Sequence, residues 1–333
     1  MVETRKVQVT GGSTYTVSIP KDWAMDNDVS AGTEVEFYPE SDSLFMTPRT
    51  EDDRTEGTLD ITDLTGDELT RAVMTMYVSG FDIIALEADR IGNEQRQTLR
   101  DATQSLVGLE VLEETRDRVV IRDLLDSSEL SIHNAVTRMR LIALSMLEDA
   151  VEALGSFDRD MARDVTQRDD DVDRLYMVVS RIFRATLRTP KAAEELGLER
   201  EACFDYHASA RQLERIADHA TKIAHLTLEL EEPVGGELVE SLWELHDQAN
   251  SVVDGAMDAL FLEDNAEATR RANEVRQSVQ AIDEQARGID ELLREFDPAR
   301  AQLLGLIVDS LSRSADYGGN VAETALQKAA PTP

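Results

Sequence analysis

Lysine is nearly missing from this chain of 333 residues: Lys6, Lys21, Lys191, Lys222 and Lys328 are all there is. Arginine supplies the rest of the 34 basic side chains, against 67 acidic ones, for a formal charge of −33. No single acidic tail accounts for the excess, so it reads as the habit of a chain built for molar potassium. At about 1 M salt the screening length falls to roughly 3 Å, and the self-repulsion of such a chain is largely removed. Cysteine is reduced to Cys203, which excludes an internal disulfide and the usual zinc clusters. Its apolar and aromatic neighbours predict a buried side chain. No run reaches the 18 or so apolar residues of a spanning helix, and the first residues are charged, so a soluble cytoplasmic protein without membrane insertion is expected. Residues 57–124 hold no phosphate-cradling glycine loop. None of the five histidines has a glutamate three residues before it, which disfavours a ferritin-like metalloenzyme. No nucleophile stands with a base, so no catalytic residue is assigned and the chain reads as non-enzymatic.

What the chain does have is an internal echo. Glu214-Arg215-Ile216-Ala217-Asp218-His219-Ala220 returns 98 residues later as Ser312-Arg313-Ser314-Ala315-Asp316-Tyr317-Gly318. Upstream, the segment from Val165 to Asp173 matches that from Val275 to Asp283 at an offset of 110. The difference is one extra loop, Pro190 to Glu201. A repeat of this length points to a duplicated helical unit.

Residues 1–50 read as strands and turns: Lys6 to Thr10, Thr14 to Ile19, Glu34 to Tyr38 and Leu44 to Thr47, with Gly11-Gly12 as a turn and a short helix from Pro20. So short a piece buries little alone and needs a partner. Residues 57–124 read as a small α/β domain, with strands at Thr58 to Ile61, Asp82 to Leu86, Leu109 to Leu112 and Arg118 to Ile121. Helical periodicity covers Leu64 to Ser79 and Glu94 to Val107. Thr65 with Glu68 three residues on suggests a capping box. From Ser127 the chain is helical: Ile132, Val136, Met139, Ala143, Met146, Ala150 and Ala153 form a packing seam. The expected fold class is mainly α, with two tandem three-helix bundles (127–230 and 233–329) behind the β module and the α/β domain. The last five residues should fray.

The order of the first segment resembles the AbrB/SpoVT family, on Arg5-Lys6-Val7, Gly11-Gly12, Val17-Ser18-Ile19-Pro20-Lys21 and Ala31-Gly32-Thr33-Glu34-Val35. The resemblance implies a swapped-hairpin module in which two copies interlace into one barrel that usually binds DNA. The chain would then be a homodimer through this module. Arg5, Lys6, Lys21 and Arg49 are the cations that could meet DNA phosphates.

On a helix, residues at i and i+4 share a face, so Asp169 with Asp173 and Glu214 with Asp218 each present paired oxygens. From charge alone such pairs read as a solvated face. Their matching position relative to two repeated motifs favours a site, and oxygen-rich sites suit hard cations or iron. Because Glu214 and Asp218 lie away from the stripe of Leu213, Ile216, Ala220 and Ile223, any metal is expected near the surface. His219 and His225 lie nearby, His225 on the carboxylate face.

The two three-helix units, the run from Glu214 to Ala220 and the Asp169-x-x-x-Asp173 pair resemble the PhoU family of phosphate-uptake regulators. The resemblance implies a six-helix pair of bundles holding metal clusters, often iron. It also implies negative regulation of phosphate transport, with a phosphate transporter component or a signalling protein as partner. Carried over, the metal ligands are Asp169, Asp173, Glu214 and Asp218. Val279 and Ser312 break the second set, leaving Asp283 and Asp316 for a weaker site. The competing reading is an AbrB-type transcription regulator controlled by the helical domain.

Overall fold

The computed structural model describes residues 3–40, 42–49, 54–124 and 131–331. The expected start of the helical region at Ser127, much of the linker after Pro48 and the last two residues lie outside that range. The chain divides into two compact units, Met1–Arg54 and Thr55–Pro333.

In the first unit a hairpin of β1 (Gln8–Thr10) and β2 (Thr14–Thr16) turns through Gly11 and Gly12. Both glycines have positive φ, 65° and 84°, which side chains with a Cβ adopt only with strain. Helix α1 (Lys21–Asp26) and a second hairpin, β3 (Val35–Glu40) with β4 (Ser43–Pro48), follow. The hairpin strands are shorter than the alternation suggested. Among the described residues of this unit Tyr38 is the single buried apolar side chain, while Val7, Val9, Val17, Phe37 and Leu44 are exposed, as is Tyr15 at 76%.

The second unit opens with β5 (Glu56–Asp60), α2 (Gly66–Val78), β6 (Ile83–Glu87), α3 (Asn93–Gln104), β7 (Leu109–Glu114) and β8 (Arg118–Asp123). The sheet order is β5-β6-β8-β7, parallel between β5 and β6 and antiparallel elsewhere. Leu69, Val73 and Tyr77 of α2 and Leu99 of α3 pack on Ile84, Leu86, Val119 and Ile121 of the sheet. Thr65 stands at the N-cap of α2, but its side chain makes no capping bond. The Glu68 N–H that the hydroxyl would take bonds instead to the Thr65 carbonyl.

Six long helices follow: α4 (Ile132–Ser156), α5 (Arg159–Arg188), α7 (Arg200–Glu229), α8 (Glu237–Phe261), α9 (Asn265–Leu293) and α10 (Pro298–Lys328). The stretch read as a loop after Pro190 contains one more helix, α6 (Pro190–Leu196). Thr189 caps it by accepting from the Ala192 N–H, Pro190 occupies the first turn and Gly197 ends it in the left-handed region. Ser131, Asp158, Asp264 and Asp297 cap α4, α5, α9 and α10 through their side chains, each contributing about 1 kcal/mol. All seven seam residues of α4 are buried, as is Cys203.

The two bundles share one core. α7 packs against α4 and α5 of its own bundle and against α10 of the other, and α4 meets α8. The buried positions also expose a third repeat that sequence similarity hid. An offset of 106 carries Ile132, Val136, Met139, Ala143, Met146, Leu147, Ala150 and Leu154 of α4 onto Leu238, Leu242, Leu245, Ala249, Val252, Val253, Ala256 and Leu260 of α8, all buried. Where α7 crosses α10, His219 meets its own counterpart Tyr317, with the ring nitrogen 3.4 Å from the hydroxyl. Lys222 reaches Asp309 and Asn320 reaches Gln212. Contact between equivalent residues marks a local two-fold axis.

The α/β domain is fastened to this body by Arg181 on α5. Its guanidinium donates to the carbonyls of Tyr77 and Phe81 at 2.7 and 3.0 Å. It also pairs with Asp82 at 2.9 Å and Asp123 at 2.7 Å. Side chains of Arg181 and Asp123 are only 9% and 4% exposed. Removing one partner strands a buried charge, so Arg181→Met should lower stability by about 3–5 kcal/mol. Denaturant unfolding monitored by circular dichroism checks this, and an unchanged midpoint would show that the clamp does not secure the domain.

Candidate functional site

Among the described residues no helix is long and apolar enough to cross a membrane. The four carboxylates predicted from the repeat lie where α5 runs beside α7. Val165 and Val172 are buried on α5 and Leu213, Ala217 and Ala220 on α7, so the helical step turns Asp169 and Asp173 toward Glu214 and Asp218. The four carboxyls act on one another. Burial first, then the charges of Asp173 and Asp218, push Asp169 up to about 6. Burial and then Asp218 push Glu214 up to about 7. Asp173 is raised by burial, Asp218 and Asp170, and Asp218 is raised by burial against the opposing pull of Arg211 and Arg215.

The surface location expected from the stripe needs correction for Glu214. Its side chain is 13% exposed, because α7 has neighbours on three sides and the strip outside its apolar stripe is covered by α5. Asp218 is exposed. Glu214 Oε1 accepts from Arg211 at 2.7 Å, whereas Oε2 is buried without a hydrogen-bond partner. His225 is exposed, and His219 turns away to Tyr317.

Sequence reading missed the residues that flank the set. Arg211 lies three residues before Glu214, a recognisable ion-pair spacing, and its guanidinium stacks 5.3 Å from the Tyr176 ring centre. Tyr176, His207 and Phe183 form a stacked series between α5 and α7. In an apolar setting beside Arg184 and Arg211, His207 is held below its ordinary pKa, burial being the larger cause.

In the second bundle Asp316 is raised by burial and by nearby Asp283 and Asp309, so the two residual carboxylates do approach one another. Val279, Gly319 and Tyr317 line an open cleft of about 460 Å³ at this position. A second groove of about 570 Å³ runs between α8 and α9 past Ser251, Gly255 and Ser278. In the first bundle the matching positions are filled: Arg168 bonds to Asp149 at 2.5 Å and to Ser145 at 3.3 Å.

Among the described residues no three His, Cys, Asp or Glu side chains stand close enough to hold a metal ion. The donor chemistry nonetheless fits a hard cation: the set is all oxygen, its members repel one another, and Glu214 keeps an orphaned buried oxygen. The predicted DNA-contacting residues Arg5, Lys6 and Lys21 are all exposed. Arg5 pairs with Glu3. Arg49 is engaged by Glu34 at 2.7 Å.

The raised carboxyls fix a sign. A folded-state pKa above the unfolded one means the native state binds more protons, so stability falls as pH rises from the unfolded value, near 4, to about 6 for Asp169 and about 7 for Glu214. In EDTA, Glu214→Gln should therefore gain on the parent protein as pH rises from 4.5 to 7.5, read as the difference in melting temperature. A constant difference would mean that Glu214 is not held in a strained charged state.

The profile of the PhoU domain matches residues 136–227, which is the copy with the full carboxylate set. The profile of the MazE bacterial antitoxin, described as antidote-toxin recognition, matches residues 8–53, the segment that resembles AbrB/SpoVT modules. A phosphate-specific transport system accessory protein PhoU homolog of Clostridium acetobutylicum is 25% identical over 213 residues, covering 62% of this chain and 94% of its own. The crystal structure of PhoU from Pseudomonas aeruginosa superposes with a TM-score of 0.51 at 24% identity, over 59% of this chain and 93% of that one. The helical part is thus similar in sequence and in fold to PhoU proteins, and the N-terminal unit to an antitoxin module.

Proposed function

We propose that this chain regulates phosphate uptake or phosphate signalling, without catalysis, through metal-dependent contacts with a transporter component or a signalling protein. The observation that carries this reading is the duplicated bundle whose PhoU-matched copy sets two carboxylate pairs against each other across α5 and α7. The name of the Clostridium relative supplies the phosphate-transport context. Asp169, Asp173, Glu214 and Asp218 would hold the metal, iron or another divalent cation, with Asp283 and Asp316 as a weaker second location. Bound there, it would supply positive charge that offsets the mutual repulsion of the set. α5 and α7 would be drawn together, and the surface they present to a partner would stiffen. The stacked Tyr176, Phe183 and His207 border that surface.

The exposed apolar side chains on and beside β1, β2 and β3 support a second part of the reading, a homodimer in which another copy covers Val9, Tyr15, Val17 and Phe37. The exposed Arg5, Lys6 and Lys21 favour the alternative that this module contacts DNA. Phosphate contacts weaken steeply with salt, so in a high-potassium cytoplasm recognition would depend on base contacts.

Deleting the gene in its host should leave uptake of labelled phosphate several-fold high in phosphate-rich medium. The intact gene should restore repression, and Asp173→Ala or Glu214→Ala should not; uptake indifferent to the deletion would refute the regulatory role. By elemental analysis, both variants should lose most bound metal and Asp283→Ala little, whereas full metal in both would remove the assignment. The DNA reading is tested by mobility shift in about 2 M KCl on DNA upstream of phosphate-transport genes, at a salt where non-specific phosphate contacts are suppressed. Selective binding lost on changing Arg5 and Lys6 to Ala supports it, and no binding leaves the module as a dimeriser.

A further inference from the structure

Arg211 occupies the carboxylate set in a way that a bystander would not. Its Nη1 lies 2.7 Å from Glu214 Oε1, and its charge also acts on Asp173 and Asp218. Its guanidinium rests on the Tyr176 ring of the facing helix, so it bridges α7 and α5 across the set. Arg215, which also acts on Glu214 and Asp218, is drawn instead to the Tyr317 ring on α10, 5.6 Å away. The other Glu214 oxygen remains buried and unpartnered, and among the described residues no three carboxylates are yet grouped to hold an ion. At the position equivalent to Arg211 the second copy has Asp309, at the offset of 98. An arginine at this position is therefore confined to the copy with the complete set, while in the second copy Asp316 is paired at 3.5 Å by Arg313, the counterpart of Arg215.

We infer that Arg211 is a tethered counter-cation that excludes monovalent ions from the carboxylate set and yields Glu214 only to a divalent one. The inference rests on the metal reading above. Exchanging a guanidinium for potassium or sodium replaces one positive charge with another, and the arginine has the advantage of being covalently attached. Exchanging it for a divalent cation adds a net charge among four carboxylates, which Coulomb attraction favours. Tyr176 makes the exchange feasible, because a guanidinium that leaves Glu214 still has an aromatic face to rest on. With its side chain 43% exposed, Arg211 can swing without unpacking the core. Arg211 is thus a selectivity residue, acting on the ion through Glu214 and not as a ligand.

The test is titration of the full-length chain with Mn²⁺ by calorimetry, for the parent protein and for Arg211→Gln, Arg211→Lys and Glu214→Ala. Each titration is run in KCl and, at equal ionic strength, in the chloride of a bulky organic cation. Arg211→Gln should bind Mn²⁺ on the order of tenfold more tightly in the bulky-cation buffer. It should lose much of that gain in KCl, where potassium now enters the set. The parent and Arg211→Lys should differ little between the two buffers, a pattern that a merely structural arginine would not produce. Equal or weaker Mn²⁺ binding by Arg211→Gln, or no potassium competition specific to it, overturns the inference while leaving the metal site intact if Glu214→Ala still abolishes binding. Absence of Mn²⁺ binding in both the parent and Arg211→Gln, or binding indifferent to Glu214→Ala, overturns the metal reading and the inference together.

Discussion

The helical unit depends on one packing constraint, that α7 must satisfy neighbours on three sides at once. Against α4 and α10 it presents Leu213, Ile216, Ala217, Ala220, Ile223 and Ala224, all fully buried. Small residues dominate where the helices must come close, and a Cβ on Gly318 of α10 would lie 3.0 Å from the backbone of Val253 in α8. What remains of the circumference of α7, the strip carrying Arg211, Glu214 and Asp218, is pressed toward α5. Carboxylates are thereby held in a place where their charged forms are disfavoured. Packing creates the electrostatic tension, which shows as the raised pKa of Asp169 and Glu214.

The clamp at Arg181 couples a second layer to α5, the helix that faces this strip. Asp169 and Asp173 lie on the stretch of α5 that faces α7, and Arg181 lies two turns further along, held by Asp82, Asp123 and two carbonyls. The α/β domain, whose role composition left open, is therefore attached to the helix that carries half of the carboxylate set. A change in how α5 sits against α7 would be felt at the end of the sheet where the central strands β6 and β8 respectively begin and finish.

Much of this could be read from residue order, and the failures have physical causes. The seam of α4 was visible because one buried face repeats with helical period, and the α7 and α10 copies because they keep Arg, Ala and Asp in register. The copy of α4 in α8 was invisible because packing conserves apolar volume and not identity: Met139 becomes Leu245 and Met146 becomes Val252. The burial of Glu214 was underestimated because a helical wheel assumes a single buried face. Arg181 could not be anticipated, since its partners are some 60 to 100 residues earlier in the chain, and no local pattern distinguishes a buried arginine from an exposed one. The helix after Pro190 was signalled by Thr189-Pro190 and Gly197, yet it is too short for periodicity to show.

The local two-fold axis at His219 and Tyr317 has a consequence for how the two halves could diverge. In an unduplicated ancestor this contact would join two identical chains, and every substitution would appear on both sides of it. A histidine at that position would face a histidine, and a carboxylate set could be kept or lost only in pairs. Fusing the copies into one polypeptide releases that constraint. One side of the interface can then change while the other stays fixed, so a sequence that folds twice in the same way can hold two carboxylate pairs in one half and open clefts in the other.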